Sequence, residues 1–382
     1  MVAINTSGVE VRAVASARER REFLELPYRL YRGRECWVAP LRMAQKEILD
    51  TRRHPFYETA DVEMFLARRN NRVVGRVMAI INHAHNDFHR ERAGLFGFFE
   101  VEEDLQAARS LIEAAREWAR ARGAEVLRGP FNPSPNYECG LLIDSFDSPP
   151  AVMMTYNPPY YAALLEGCGL TKAMDLLAYD ISTDSFILSE KLQRVAARLR
   201  ERIIVRCVDM KNINREVEII RRIYNDAWSR NWGFVPVTKE EFEHLARDLR
   251  QIADPRVVYI AEQKIDGRDE TEPVGFFLAV PDLNQALKKI NGRLFPLGLL
   301  KLLWHSRRIN RIRIITMGVV KEHQPLGVAS LFYEKIYRES AGFGYRQGEM
   351  SWVLEDNLMM NRAAQLIGGK RSKTYRIYEM ET

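Results

Sequence analysis

IRIITMGVVKEHQPLGVASLFYEKIYRES, residues 312–340, decides the reading of this chain. The run from Ile312 to Val320 is apolar enough for a strand, a short polar turn follows, and Gln324–Ala329 (QPLGVA) leads into a helix. Backbone N–H groups at a helix start lack intrahelical partners. With the helix dipole they form a site suited to an anion such as phosphate. Gly327 lets a ligand approach the backbone closely, and Val328 and Ala329 open the helix. An ordinary strand-to-helix turn also needs no more than one glycine, so the hexapeptide alone supports both readings.

The chain's 382 residues are enough for two domains, each with its own core. Hydrophobic residues at 46% and charged ones at 28% describe a globular protein. A net charge of +6 and a pI near 9.1 favour an anionic ligand or an anionic membrane surface; no nucleic acid is expected. Cys36, Cys139, Cys168 and Cys207 are widely separated, without a C-x-x-C pair, which reads as reduced thiols in the cytoplasm. The opening MVAINTSGVEVRAV does not read as a signal peptide, and no apolar run is long enough to span a bilayer.

Read in order, the chain states one pattern twice. VEVRAV (9–14), a helix to about Tyr31 and WVAP ending at Pro40 match IIVRCV (203–208), a helix to about Trp228 and NWGFVP ending at Pro236. A hairpin turning on Asn70-Asn71 matches one with a longer charged turn around Gly267, and Val74-Gly75 and Val274-Gly275 fall at corresponding places. Each half continues with a strand, a helix stopping at Gly123 or Gly342, another strand and helix, a glycine pair, and a final strand (176–181; 374–378). A helix over 188–202 joins the halves. The order predicts two copies of one mixed strand–helix domain, not an alternating doubly wound fold.

That order, with the phosphate turn after the fourth strand, resembles the GNAT-type N-acyltransferase superfamily. Gln324, Gly327 and Ala329 fit the family's Q/R-x-x-G-x-G/A turn, and Asn357 and Gly368 fit the start and end of the helix after the fifth strand. The layout is similar to that of long double-copy members, some proposed to form ceramides in bacteria. The resemblance implies an α/β fold of two tandem domains, each a mostly antiparallel mixed sheet flanked by helices. They would span residues 1–184 (degenerate) and 203–382 (acyl-CoA-binding), with a linker helix over 185–202. It further implies transfer of an acyl group from acyl-CoA to a primary amine, with acetyl-CoA or a longer acyl-CoA as co-substrate and no permanently bound cofactor. Two alternatives stay open: acylation of a sphingoid-type lipid amine, and a catalytically silent acyl-CoA-binding or lipid-binding protein.

The same resemblance places the pantetheine arm along Met317 and Val319. It places the pyrophosphate on Gln324, Leu326, Gly327, Val328 and Ala329, with Asn357 nearby. Where the family often carries a thiolate-protonating tyrosine, seven residues after the asparagine, this chain has Ala364. Glu355 and Tyr375 are the remaining candidates for proton transfer. In the first copy VEEDLQAA (101–108) replaces QPLGVA. Glu102, Glu103 and Asp104 would repel a pyrophosphate, so only the second copy is expected to bind coenzyme A.

Four further stretches carry expectations. GPFNPSPNYECG (129–140) is a proline-broken loop whose Asn136, Tyr137 and Glu138 would form an acceptor wall. Trp228, also an acceptor-site candidate, and Trp232 are spaced as on one helix face, and at least one reads as core. His54, His83, His85 and His89 lack metal-ligand spacing, and INHAHNDFH reads as a loop; no metal is expected. The segment 287–313 mixes Leu, Phe and Trp with Lys289, Arg293, Lys301, Arg307, Arg308 and Arg311. It has the make-up of an interfacial segment, placing the protein in the cytoplasm with contact to an anionic inner membrane face, or of a groove for a long acyl chain.

Overall fold

The computed structural model describes residues 4–6, 8–265, 267–268 and 270–382. Asp266 and Asp269, in the charged turn around Gly267, lie outside the described residues. The first copy runs β1 (Ile4–Thr6), β2 (Val9–Ala13), α1 (Ala17–Leu30), α2 (Arg42–Ile48), β3 (Ala60–Arg69), β4 (Arg72–Asn82), α3 (His83–His89), β5 (Ala93–Val101), α4 (Leu105–Arg120) and β6 (Val126–Gly129). Short strands β7 (Phe131–Asn132), β8 (Glu138–Cys139) and β9 (Leu141–Leu142) precede α5 (Tyr160–Gly167) and β10 (Thr171–Ser182). After α6 (Glu190–Leu199) the second copy runs β11 (Ile203–Cys207), α7 (Ile213–Trp228), α8 (Lys239–Ile252), β12 (Val258–Lys264), β13 (Thr271–Pro281), α9 (Asn284–Leu287), α10 (Gly298–Ser306), β14 (Arg311–Val319), α11 (Ala329–Glu339), β15 (Gln347–Leu354), α12 (Leu358–Leu366) and β16 (Lys370–Glu381).

The repetition extends to single residues. Asn70 and Asn71 both take positive φ, 51° and 61°, as a two-residue hairpin turn requires. Val74 and Val274 are each the extra residue of a β-bulge, where Ala67 faces Gly75 and Ala261 faces Gly275.

The compact units are not the linear halves. One contains residues 1–176, 286–303 and 373–382; the other contains 177–285 and 304–372. In the first, β1 to β6 lie in sequence order, and the end of β16 pairs antiparallel with β6, from Tyr378 opposite Gly129 to Glu381 opposite Val126. Arg376 holds Asp175 through two bonds of 2.8 and 3.0 Å, and Arg128 reaches Glu379 at 2.9 Å. In the second, the end of β10 lies beside β15, followed by β14, β13, β12 and β11. The final strand of each copy thus crosses from one unit to the other. The helix expected as a linker, α6, packs on α11: Val195 abuts Gly327, and Arg200 pairs with Glu334 at 3.4 Å.

Two local expectations are corrected. INHAHNDFH is not a loop: Asn82 accepts a bond from the His85 N–H and caps α3. Its histidines pair with carboxylates, His85 with Glu91 and His83 with Asp61, and among the described residues no group of three or more potential ligands gathers. Helix α11 does not stop at Gly342. A 3₁₀ turn carries the chain to Phe343, and Gly344, at φ 92°, makes the turn.

Tyr375, Ile377 and Tyr378 of β16 are almost wholly buried. Truncation after Ser372 is expected to cost the first unit about 5 kcal/mol or more, at roughly 2 kcal/mol for each large side chain removed. Hydrogen exchange should show protection falling first in β6, ahead of β14 and β15.

Candidate active site

Strands β14 and β15 pair in parallel only from Arg311 opposite Gln347 to Ile314 opposite Met350. The paired part is held by a buried polar chain. Arg311 bonds Glu349 at 2.7 Å, Ser351 Oγ donates to Glu349 at 2.7 Å, and Arg313 donates to Ser351 Oγ at 2.9 Å. Glu349 has no exposed surface. Beyond Met350 the strands part. Ile315 is an extra residue on β14, since Leu278 faces Thr316 while Ala279 faces Ile314, and such a bulge bends a strand.

The parted strands leave backbone groups to be satisfied. Asn361 on α12 donates to the carbonyls of Leu354 (2.9 Å) and Glu355 (3.2 Å) and accepts from the Tyr179 hydroxyl. Gln324 Nε2 donates to the Val319 carbonyl at 2.9 Å. The N–H of Val320 bonds Val274 on β13, so by strand alternation the backbone groups of Met317 and Val319 point to the other side, into the gap.

The turn after β14 has the expected form. Gly327 takes φ 82°, a left-handed conformation that disfavours any side chain, and its N–H bonds the Gln324 carbonyl at 3.2 Å. Helix α11 begins without a side-chain cap. Among the described residues the N–H groups of Val328 and Ala329 donate to no backbone carbonyl, which leaves them for an anion.

Between the parted strands lies a cleft of about 460 Å³, lined by residues of the second unit. Met317, Val319, Gln324, Ala329, Asn357 and Trp228, all expected at the site, line it. Asn357 also caps α12 by accepting from the Met360 N–H at 3.1 Å. Leu326, Gly327 and Val328 form the adjoining turn. Trp232 lines the cleft too, as does Trp352, which meets Trp228 edge-on at 6.3 Å. Neither Trp228 nor Trp232 is core, because α7 ends at Trp228 and both rings stay partly exposed. Tyr333, Asp356, Met359 and Met360 are lining residues the sequence did not single out.

The other expected residues stand elsewhere. Glu355 is not a lining residue, although Leu354 and Asp356 on either side of it are. Tyr375, the other catalytic candidate, is corrected: it is fully buried on β16 in the first unit, opposite Leu142, and does not line the cleft. Asn136, Tyr137 and Glu138 also belong to the first unit, where Tyr137 packs against His54 and Phe56 with ring centroids 5.7 and 6.1 Å apart.

In the first unit, β5 and β6 likewise pair in parallel only from Ala93 to Leu95, but the gap beyond is filled by the chain itself. Asn132 accepts from the Phe98 N–H at 2.6 Å, and the Tyr161 hydroxyl accepts from the Val101 N–H at 2.9 Å. A Cβ at Gly97 would lie 1.5 Å from the Phe131 carbonyl oxygen. At the start of α4, Asp104 accepts from the N–H groups of Gln106 and Ala107 while Arg69 holds it at 2.7 Å. A carboxylate thus occupies the position a phosphate would need.

No family model matches the chain. It is 38% identical over 373 residues to the bacterial ceramide synthase of Caulobacter vibrioides (strain NA1000 / CB15N), with 96% of each chain covered. It is 33% identical over 378 residues to Protein YghO of Escherichia coli (strain K12), with 97% and 95% covered. Among solved structures, the tandem GNAT protein from the clavulanic acid biosynthesis pathway aligns over 98% of both chains with a TM-score of 0.52 at 12% identity. A GCN5-related N-acetyltransferase from Sphaerobacter thermophilus aligns over 98% and 96% with a TM-score of 0.51 at 14% identity. Those two show the fold. Fold and relatives together define an acyltransferase. The chain belongs to the same family as the Caulobacter vibrioides and Escherichia coli relatives, and its fold is that of the tandem GNAT proteins. No helix among the described residues is long and apolar enough to cross a membrane.

Gly327→Val puts a β-branched side chain on left-handed backbone, with its Cβ 3.0 Å from Val195. Calorimetric titration with free coenzyme A is expected to show affinity reduced at least tenfold, with the melting temperature little changed. Unchanged affinity in the folded variant would place the coenzyme elsewhere.

Proposed function

We propose that the chain transfers a long acyl group from acyl-CoA to a sphingoid-type long-chain amine at an anionic membrane surface. The observation that carries this reading is the make-up of the cleft. Three tryptophans, Phe277 and the methionines 317, 350, 359 and 360 face it. Methionine is unbranched and adaptable and suits flexible aliphatic chains, while tryptophan offers a rigid apolar wall. The likeness to a bacterial ceramide synthase supports the same acceptor class.

In this reading the pyrophosphate rests on the N–H groups of Val328 and Ala329, in the turn formed with Leu326 and Gly327, at the positive end of α11. The pantetheine amides pair with the strand edge at Met317 and Val319. Gln324 keeps the turn closed by holding the Val319 carbonyl. Asn357 fixes the start of α12 beside the arm. A thioester is already activated, so the chief task is to hold a neutral amine against its carbonyl carbon. A β14 N–H then stabilises the oxyanion that forms.

The segment around α10 would supply the surface. Phe295 is 84% exposed, and Leu297, Leu299, Leu300, Leu303 and Trp304 are exposed as well. Leu299, Leu300, Leu303 and Trp304 share one face of the helix. Lys288, Lys289, Arg293, Lys301, Arg307 and Arg308 are also exposed, and the Arg308 guanidinium lies 3.8 Å from the Trp304 ring centre. Apolar side chains ringed by cations match a lipid surface bearing negative headgroups.

Palmitoyl-CoA and sphinganine are expected to yield the amide and free thiol with a kcat/KM about 100-fold or more above that for hexylamine, the order expected when a long apolar tail is bound in place of a short one. Equal rates would remove the lipid acceptor from the account. On flotation, the protein should rise with vesicles containing 30% phosphatidylglycerol and not with pure phosphatidylcholine, and the double change Leu300→Asp, Trp304→Asp should abolish the difference. Binding indifferent to lipid charge would refute the surface assignment.

A further inference from the structure

Position 364, where the family that the sequence resembles often carries a thiolate-protonating tyrosine, is alanine in this chain. Ala364 is completely buried, and Tyr333 from the neighbouring helix α11 packs into the same cluster, with Met350 and Val353. Tyr333 lines the cleft. It stands one helical turn after Ala329, on the same face of α11, and Ala329 lines the cleft beside the phosphate turn. A coenzyme laid from that turn into the gap passes Ala329 first and reaches Tyr333 deeper in, close to Ile314 and Met350 where the strands meet. The small side chain at Ala364 leaves the volume of the cluster to the Tyr333 ring.

The hydroxyl is the informative part. Tyr333 is 4% exposed, and among the described residues its Oη has no hydrogen-bond partner. Buried hydroxyls nearly always have one, and a buried donor left without a partner opposes folding. The ring also borders a small slot walled by Ile181, Ile312, Ile314 and Ile336 and by Ser182, Thr183, Ser340 and Gln347, none of which bonds the Tyr333 hydroxyl. Burial pushes the hydroxyl pKa above its ordinary value, so the group keeps its hydrogen and remains a donor.

We infer that Tyr333 is a catalytic residue: its hydroxyl donates a hydrogen bond to the sulfur of the departing coenzyme, taking from α11 the role that position 364 leaves open on α12. The inference rests on the acyl-transfer reading of the cleft but not on which amine accepts. The amine nitrogen bonds to the thioester carbon, the carbon–sulfur bond breaks, and its electron pair moves to sulfur. Tyr333 O–H stabilises that growing charge and keeps its own hydrogen. The proton shed by the nitrogen ends on the sulfur, and coenzyme A leaves as the thiol. A donor aimed at charge that develops only in the transition state acts on turnover, not on ground-state binding.

The test is Tyr333→Phe in the full chain, assayed by thiol release from palmitoyl-CoA with whichever primary amine of a panel turns over fastest. Failure of sphinganine as a substrate therefore changes the amine without touching this comparison. The variant is expected to lose about 100-fold in kcat, the order seen when one such donor is removed, with palmitoyl-CoA affinity within threefold of the parent and an unchanged melting curve. A thioester of palmitate with 4-nitrothiophenol leaves readily without help, so on that donor parent and variant should react at equal rates. An unaltered kcat on palmitoyl-CoA, or the same loss on both donors, would overturn the assignment, the latter because a merely structural defect does not distinguish leaving groups.

Discussion

Two parallel strands that stop sharing hydrogen bonds after Ile314 and Met350 impose the constraint on which the rest of the second unit depends. A sheet that opens in its interior exposes backbone donors and acceptors that must find partners or water. The molecule meets this unevenly. On β15, Asn361 takes up the carbonyls of Leu354 and Glu355, and at the end of β14 Gln324 takes up that of Val319. Between them the edge at Met317 is left facing the cleft. In the proposed reading, this incomplete pairing is where the pantetheine amides of the donor would bond. The chain Arg311–Glu349–Ser351–Arg313 matters for the same reason. It ties the strands together where they must stay together, so the opening starts at a defined residue pair. Removing one partner from such a buried charged group typically costs about 3–5 kcal/mol.

The first unit solves the same problem by giving up the cleft. Its strands part in the same way, yet Asn132 and the Tyr160–Tyr161 pair reach the β5 edge and use the groups that a ligand would have used. Asp104 brings its own negative charge to the helix start, and Arg69 balances it. One backbone plan therefore gives an open cleft in one copy and a filled gap in the other. The difference lies in a few side chains that either leave the edge free or occupy it.

Much of this could be read in the sequence, because its signals are local. Asn70-Asn71 demands positive φ, Gly327 demands it too, and the Val-Gly pairs mark bulges that recur at the same step of both copies. The acidic VEEDLQAA start is a statement about charge that needs no coordinates. Features made by residues distant in sequence could not be read. Nothing in the composition of β10 or β16 indicates that each would cross to the other unit. Tyr375, on an ordinary strand, looked available until that crossing placed it in the first unit's core. Tyr333 sits within a plain amphipathic helix, LFYEKIYRE, and only its position against Ala364 gives it meaning. Asn361 was hidden likewise, since a side chain that satisfies another strand's carbonyl leaves no pattern in its own neighbourhood.

The crossing of the final strands has a consequence for how the molecule comes into being. Arg128 and Glu379, 251 residues apart in sequence, meet in the first unit's sheet. During synthesis the first copy emerges whole from the ribosome long before the residues that complete its sheet exist. Its β6 edge must wait, unpaired, through translation of the entire second copy. The first copy is thus the earlier to be made and the later to be finished, and a nascent chain of this kind needs protection at that edge more than at any other.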